Sequence, residues 1–141
     1  MLIRELMSAP AVTAPPALPL PAASHLMRSR GIRRLPVLDG ARLVGIVTDR
    51  DLREALPARV RPSALWETAT RLRATRVADV MRRHVLTTTE DADARDAAHT
   101  MLRHRVGALP VLSAAGDLAG IVTLADVLRD YARPAAPEAT P

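Results

Sequence analysis

Two short segments, GIVTDRD at 45–51 and GIVTLAD at 120–126, carry the residues best suited to hold a polar ligand. Each sets a hydroxyl three residues ahead of a carboxylate, as Thr48 with Asp51 and Thr123 with Asp126. If a strand ends at the threonine, the helix that follows presents unpaired backbone N–H groups and the positive end of its dipole. That end favours an anion such as phosphate. The threonine hydroxyl can meet a phosphate or ribose oxygen, and the aspartate suits a vicinal diol. A hydrogen bond to such a charged acceptor contributes about 1.5–3 kcal/mol. The same spacing also describes a helix cap, with threonine at the N-cap and aspartate closing a capping box. Spacing alone leaves both readings open.

No other cluster points to catalysis. His25 and His99 occupy equivalent positions and read as packing or surface residues, while His84 and His104 lack a partner at ligand spacing. Asp91, Asp93 and Asp96 read as the charged start of a helix. There is no Ser-His-Asp order, P-loop or GxGxxG pattern, and no cysteine for a disulfide, thiolate metal site or nucleophile. The expectation is a non-enzyme with no catalytic residue, no metal site and no required cofactor.

Composition narrows the class further. The 141 residues are 48% hydrophobic, but Trp66 and Tyr131 are the only aromatics, so the core must be aliphatic. The net charge is +5, and all 20 basic residues are arginine. A GC-rich coding bias accounts for that, and so does an arginine-lined site for an anion. Nucleic acid is the weakest reading, because the charge is dispersed and no aromatic platform could stack bases. No apolar run approaches the roughly 20 residues of a membrane span, and MLIRELMSAP lacks the pattern of a signal peptide. A cytoplasmic location and no membrane association are expected.

The elements that must position the two segments are duplicated. Residues 3–39 align with 77–113 at an offset of 74, and 43–56 with 118–131 at an offset of 75. The added residue falls within SAAGD at 113–117, where a hairpin turn tolerates it. Met7/Met81, Thr13/Thr87, His25/His99 and Met27/Met101 are identical pairs, and LPVL recurs at 35–38 and 109–112. Each copy reads as a short helical lead-in, an extended piece near Val12-Thr13 or Leu86-Thr87, a helix over about 20–30 or 92–104, two short strands, and a last helix. Asp39-Gly40 marks the first hairpin and Ala115-Gly116-Asp117 the second. The boundaries expected are 1–57 for the first repeat, 58–76 for a linker, 77–132 for the second repeat and 133–141 for a disordered tail. Within the linker, Pro57 and Pro62 break structure, and Ser63 could cap a helix of about 64–73.

Taken together, the lead-in ending in Met7 or Met81, the LPV strand and the Gly-h-h-Thr-x-x-Asp segment, each present twice, resemble a tandem pair of CBS (cystathionine β-synthase motif) domains, or Bateman module. The resemblance spans about 2–132. It implies an α/β (α+β) fold of two βαββα repeats packed about a pseudo-two-fold axis, and a disc-like homodimer. It implies an adenosine-containing regulatory ligand (AMP, ADP, ATP or S-adenosylmethionine) in clefts between the repeats. By that resemblance the sites are crossed. One cleft combines Gly45, Val47, Thr48, Arg50 and Asp51 with Leu86, Thr87, Arg105, Ala108 and Leu109. The other combines Gly120, Val122, Thr123 and Asp126 with Val12, Thr13, Arg33, Arg34 and Leu35. Arg33 and Arg34 make the latter the better phosphate site.

The function expected is that of a stand-alone CBS-pair sensor, signalling through self-association or an unidentified effector protein. The alternative is a ligand-independent dimerisation or protein-interaction module, followed by a nucleic-acid-binding accessory protein.

Overall fold

The computed structural model describes residues 1–56 and 60–135. Pro57 and residues 136–141 of the expected tail lie outside the described residues. The chain divides into two compact units, one of Ala11–Val85 and one of Met1–Pro10 together with the chain from Leu86 onward.

In the unit of Ala11–Val85, the order is α1 (Leu20–Arg30), β1 (Arg34–Asp39), β2 (Arg42–Thr48), α2 (Asp49–Glu54), α3 (Leu65–Ala74) and α4 (Val77–Val80). Helix α1 buries Leu20, Ala23 and Met27, a helical three-and-four spacing. It ends at Gly31, whose φ of 63° is the left-handed conformation that glycine adopts without a Cβ clash. β1 and β2 form an antiparallel hairpin with a bulge at Val37/Leu38, turning at Gly40 (φ 61°). Leu35, Val37 and Val47 are fully buried and pack with Ala23, Met27, Val77 and Met81.

The second unit repeats the plan with β3 (Thr88–Thr89), α5 (Ala94–His104), β4 (Ala108–Leu112), β5 (Leu118–Thr123) and α6 (Leu124–Tyr131). β3 runs parallel to β4, which pairs antiparallel with β5 around the same bulge, now at Val111/Leu112. The extra residue sits in the turn, where Ser113 N–H donates to the Asp117 carbonyl at 2.8 Å and Gly116 has a φ of 84°. Ile3, Ala97, Met101, Leu109, Val111 and Val122 form its core.

The lead-ins are exchanged between the copies. Ser8 and Ile121 donate to each other's carbonyls at 2.9 and 3.0 Å, while Arg82 and Ile46 do the same at 2.9 and 3.0 Å. The first lead-in thus pairs with the second repeat's strand, and the second lead-in with the first repeat's. Sequence repeats at 1–57 and 77–132 and compact units therefore differ by a swap of ten or so N-terminal residues per repeat. The helix starts follow suit: Leu20 N–H donates to the Thr75 carbonyl, and Ala94 N–H to the Met1 carbonyl.

Three local expectations are corrected. The early extended pieces pair one or two residues later than Val12-Thr13 and Leu86-Thr87, at Ala14 with Val37 and at Thr88–Thr89. In the first copy this is a single bridge, because Pro15 and Pro16 follow at once and proline offers no ladder donor. Ser63 caps nothing: it lies inside a 3-10 turn, Pro62–Ala64, and α3 starts after Ala64 without a side-chain cap. By contrast, Asp93 does cap α5, accepting from Arg95 N–H at 2.7 Å.

The lead-ins pass so close over the strands that a side chain has no room. A Cβ on Gly120 would lie 2.5 Å from the Ser8 carbonyl oxygen, whereas one on Gly45 would first meet the Met81 Sδ at 2.5 Å and the Arg82 carbonyl oxygen at 3.0 Å. A thioether end can swing aside and a paired carbonyl cannot. Gly120→Ala is therefore expected to lose about 1–3 kcal/mol of unfolding free energy, and Gly45→Ala less. Urea unfolding of both variants checks this, and equal losses would contradict it.

Candidate functional site

The two Thr-x-x-Asp segments stand at the junctions β2–α2 and β5–α6, and both fold into complete capping boxes. Thr48 Oγ1 accepts from Asp51 N–H at 3.1 Å while Asp51 Oδ2 accepts from Thr48 N–H at 2.9 Å. Thr123 Oγ1 accepts from Asp126 N–H at 3.2 Å, and Asp126 Oδ2 from Thr123 N–H at 2.8 Å. The cap reading of this spacing is thus realised in both copies. It consumes one carboxylate oxygen of each aspartate and fixes the side-chain rotamer, leaving Oδ1 for other partners.

Those other partners differ. Asp51, at 7% exposure the one buried charged residue among those described, has its Oδ1 3.7 Å from Arg82 Nε, which comes from the lead-in. Asp126 Oδ1 accepts from Arg129 Nη1 at 3.1 Å, a residue on its own helix. The residue equivalent to Arg82 in the other copy is Ser8, and the one equivalent to Arg129 is Glu54, which pairs with Arg50 at 3.0 Å. Both arginines facing the aspartates are mostly exposed, so each pair contributes about 0–1 kcal/mol. Arg82 was not singled out by the sequence; only the exchange of lead-ins, invisible in two equivalent copies, brings it beside Asp51.

The remaining expected residues sit in their own units as follows. Gly45, Val47, Thr48, Arg50 and Asp51 lie along β2 and α2 with Val12, Thr13, Arg33, Arg34 and Leu35 in the unit of Ala11–Val85. Gly120, Val122, Thr123 and Asp126 lie with Leu86, Thr87, Arg105, Ala108 and Leu109 in the other. Each crossed set thus draws on both units. Val47, Val122, Leu35 and Leu109 are fully buried core residues, and the two glycines are buried under the lead-ins. Arg34 opens β1 and is half-buried, whereas Arg33 is exposed and lines a cavity beside α1 and α2. Arg105 ends α5 with φ 55°, the position Gly31 holds in the first copy.

Among the described residues no cluster of His, Asp or Glu could hold a metal ion, and no helix is long and apolar enough to cross a membrane. His25, His84, His99 and His104 are all exposed.

Comparison with known proteins agrees with this geometry. The family model for the CBS domain matches residues 3–58 and 77–133. A CBS domain-containing protein of Dictyostelium discoideum is 35% identical over 129 residues, covering 91% of this chain and 89% of that one. Other relatives are archaeal inosine-5'-monophosphate dehydrogenases, of whose length the chain spans about a fifth. Among solved structures, the CBS domain pair of protein MJ0100 in complex with 5'-methylthioadenosine and S-adenosyl-L-methionine is 26% identical, with a TM-score of 0.77 over 93% of this chain and 95% of that one. CBSX2, an Arabidopsis thaliana CBS-pair protein, in complex with AMP is 26% identical, with a TM-score of 0.75 over 92% and 95%. With two family matches spread over nearly the whole chain, two βαββα repeats and a Thr-x-x-Asp cap in each, the chain belongs to the CBS domain family as a tandem pair.

Proposed function

We propose that this CBS pair is a cytoplasmic regulatory sensor, without catalytic activity of its own, that binds an adenosine-containing ligand through its Thr-x-x-Asp caps. The observation that carries the reading is the cap geometry itself. In both copies it leaves Asp Oδ1 oriented but not consumed by the cap, beside a threonine hydroxyl. That pair suits a ribose diol, and solved relatives of the same fold hold AMP, S-adenosylmethionine and methylthioadenosine. Arg34, and Arg82 beside Asp51, supply guanidinium groups able to fork onto a phosphate. Binding would act on self-association or on docking to an effector protein.

A second reading, an interaction module independent of ligand, rests on a different observation. The face of α5 and α6 exposes Leu102 at 66%, Leu128 at 59% and Tyr131 at 89%. Large apolar side chains left exposed in this way favour association surfaces. The occupant fitting both readings is a second copy of the chain, in a homodimer.

Thermal unfolding against AMP, ADP, ATP, S-adenosylmethionine, NAD and GTP tests the sensor. A ligand at about 100 times its dissociation constant adds roughly 2.7 kcal/mol, which raises the midpoint by roughly 5–10 °C for a chain this size. One adenosine compound should produce that shift, and Asp51→Ala or Asp126→Ala should remove it. A flat panel at millimolar ligand would overturn the sensor. For the second reading, Leu128→Glu with Tyr131→Ser should convert a dimer to monomer in sedimentation; an unchanged dimer would place the interface elsewhere.

A further inference from the structure

We infer that the cavity framed by α1, α2 and α3 is a second ligand site, distinct from the Thr-x-x-Asp caps, and that it takes an amphipathic anion. The ligand class is an apolar chain ending in one anionic group, carboxylate or phosphate.

The cavity measures about 510 Å³, within the roughly 300–1,000 Å³ of small-molecule pockets. Leu20, Met27, Ile32, Leu52, Leu56 and Leu72 give it an apolar body. The charged groups that line it are Arg28, Arg33, Arg53 and Asp49. Asp49 is held by Arg53 at 3.8 Å on the next turn of α2. Arg28 and Arg33 have no ion-pair partner among the described residues. The Arg33 backbone is tied to α2, since its carbonyl accepts from Asp49 N–H at 2.9 Å. The lining of an apolar cavity is therefore net cationic, with two guanidinium groups unpaired among the described residues and able to fork onto an oxyanion.

A nucleotide fits this lining poorly. Apart from the four charged residues, Ser24 is the only polar side chain among the described lining residues, which include no aromatic. The hydrogen-bonding edge of a buried base would go unpaired, which is costly. A hydrocarbon chain has no such edge.

Duplication supplies an internal control. Met27, Ile32 and Leu52 correspond to Met101, Val106 and Val127 in the second repeat, so the apolar body is kept. Arg28, Arg33 and Arg53 correspond to Leu102, Gly107 and Leu128, and Asp49 to Leu124. Packing requirements common to both repeats thus do not call for the cationic rim. It occurs where α3 adds Leu72 to close the cavity.

Calorimetric titration of the full chain with decanoate, decyl phosphate and decanol, each below its micelle concentration, tests the site. Saturable binding of one decanoate or one decyl phosphate per chain is expected, and the tighter of the two names the head group. Decanol should bind at least tenfold more weakly, the size of one lost charge-assisted hydrogen bond. Arg28→Glu should weaken the anion at least tenfold, and Arg28→Gln should do so in part. No saturable binding of either anion, equal binding of decanol, or full affinity in both folded Arg28 variants would overturn the proposal. Because the adenosine panel is read separately, failure here leaves the cap reading intact, and the reverse holds too.

Discussion

The backbone of each lead-in closes a pair of hydrogen bonds onto the strand of the opposite repeat, and Gly45 and Gly120 leave the space for it to do so. Much follows from that approach. It seats Ile3 and Val77, both fully buried, in cores otherwise built from the opposite repeat. It carries Met81 and Arg82 to the foot of the β2–α2 cap, and Met7 and Ser8 to the strand before the β5–α6 cap. It also joins residues far apart in sequence, Ser8 with Ile121, a contact that must close a long loop. A glycine that looks like a ligand-approach residue is thus already required by the fold.

Once the frame is fixed twice over, divergence between the copies becomes readable as chemistry. The cores match position for position: Leu35 with Leu109, Val37 with Val111, Val47 with Val122 and Met27 with Met101 are all buried. The helix faces do not match. One presents Arg28 and Arg53, while the other presents Leu102 and Leu128. Core positions are constrained by packing to within a methylene or so, and the helix faces are not. Differences there reflect what each face meets.

Legibility in the sequence followed the same division. The helices at 20–30 and 94–104, both hairpins and the site of the inserted residue were readable because they rest on local period and turn chemistry. The Thr-x-x-Asp caps were readable because a capping box is a three-residue event. The lead-in exchange was not, since two equivalent copies carry no signal of which lead-in meets which strand. Arg82 as a neighbour of Asp51 was missed for that reason. The early strands were placed one or two residues short because so brief a pairing has no period of its own. Ser63 was a plausible cap until Pro62 started a 3-10 turn around it.

Cap and ligand roles for the aspartates do not compete, and magnitudes show why. The cap uses Oδ2 and holds the carboxylate still, so a diol arriving at Oδ1 need not order that side chain. What it must displace or share is an exposed arginine at 3.7 Å from Asp51 or 3.1 Å from Asp126, an interaction of about 0–1 kcal/mol. A hydroxyl bond to a charged acceptor contributes about 1.5–3 kcal/mol. For the ligand proposed above, the exchange is favourable at either cap. Arg82, on a backbone segment clamped to β2, adds a guanidinium beside Asp51 that the expected preference for the Asp126 cleft, based on Arg33 and Arg34, did not count. At Asp126 the equivalent lead-in residue is Ser8, which brings no charge. The two caps, alike in every hydrogen bond of the box, therefore differ in the charge beside them: Arg82 from the lead-in at Asp51, Arg129 from the same helix at Asp126.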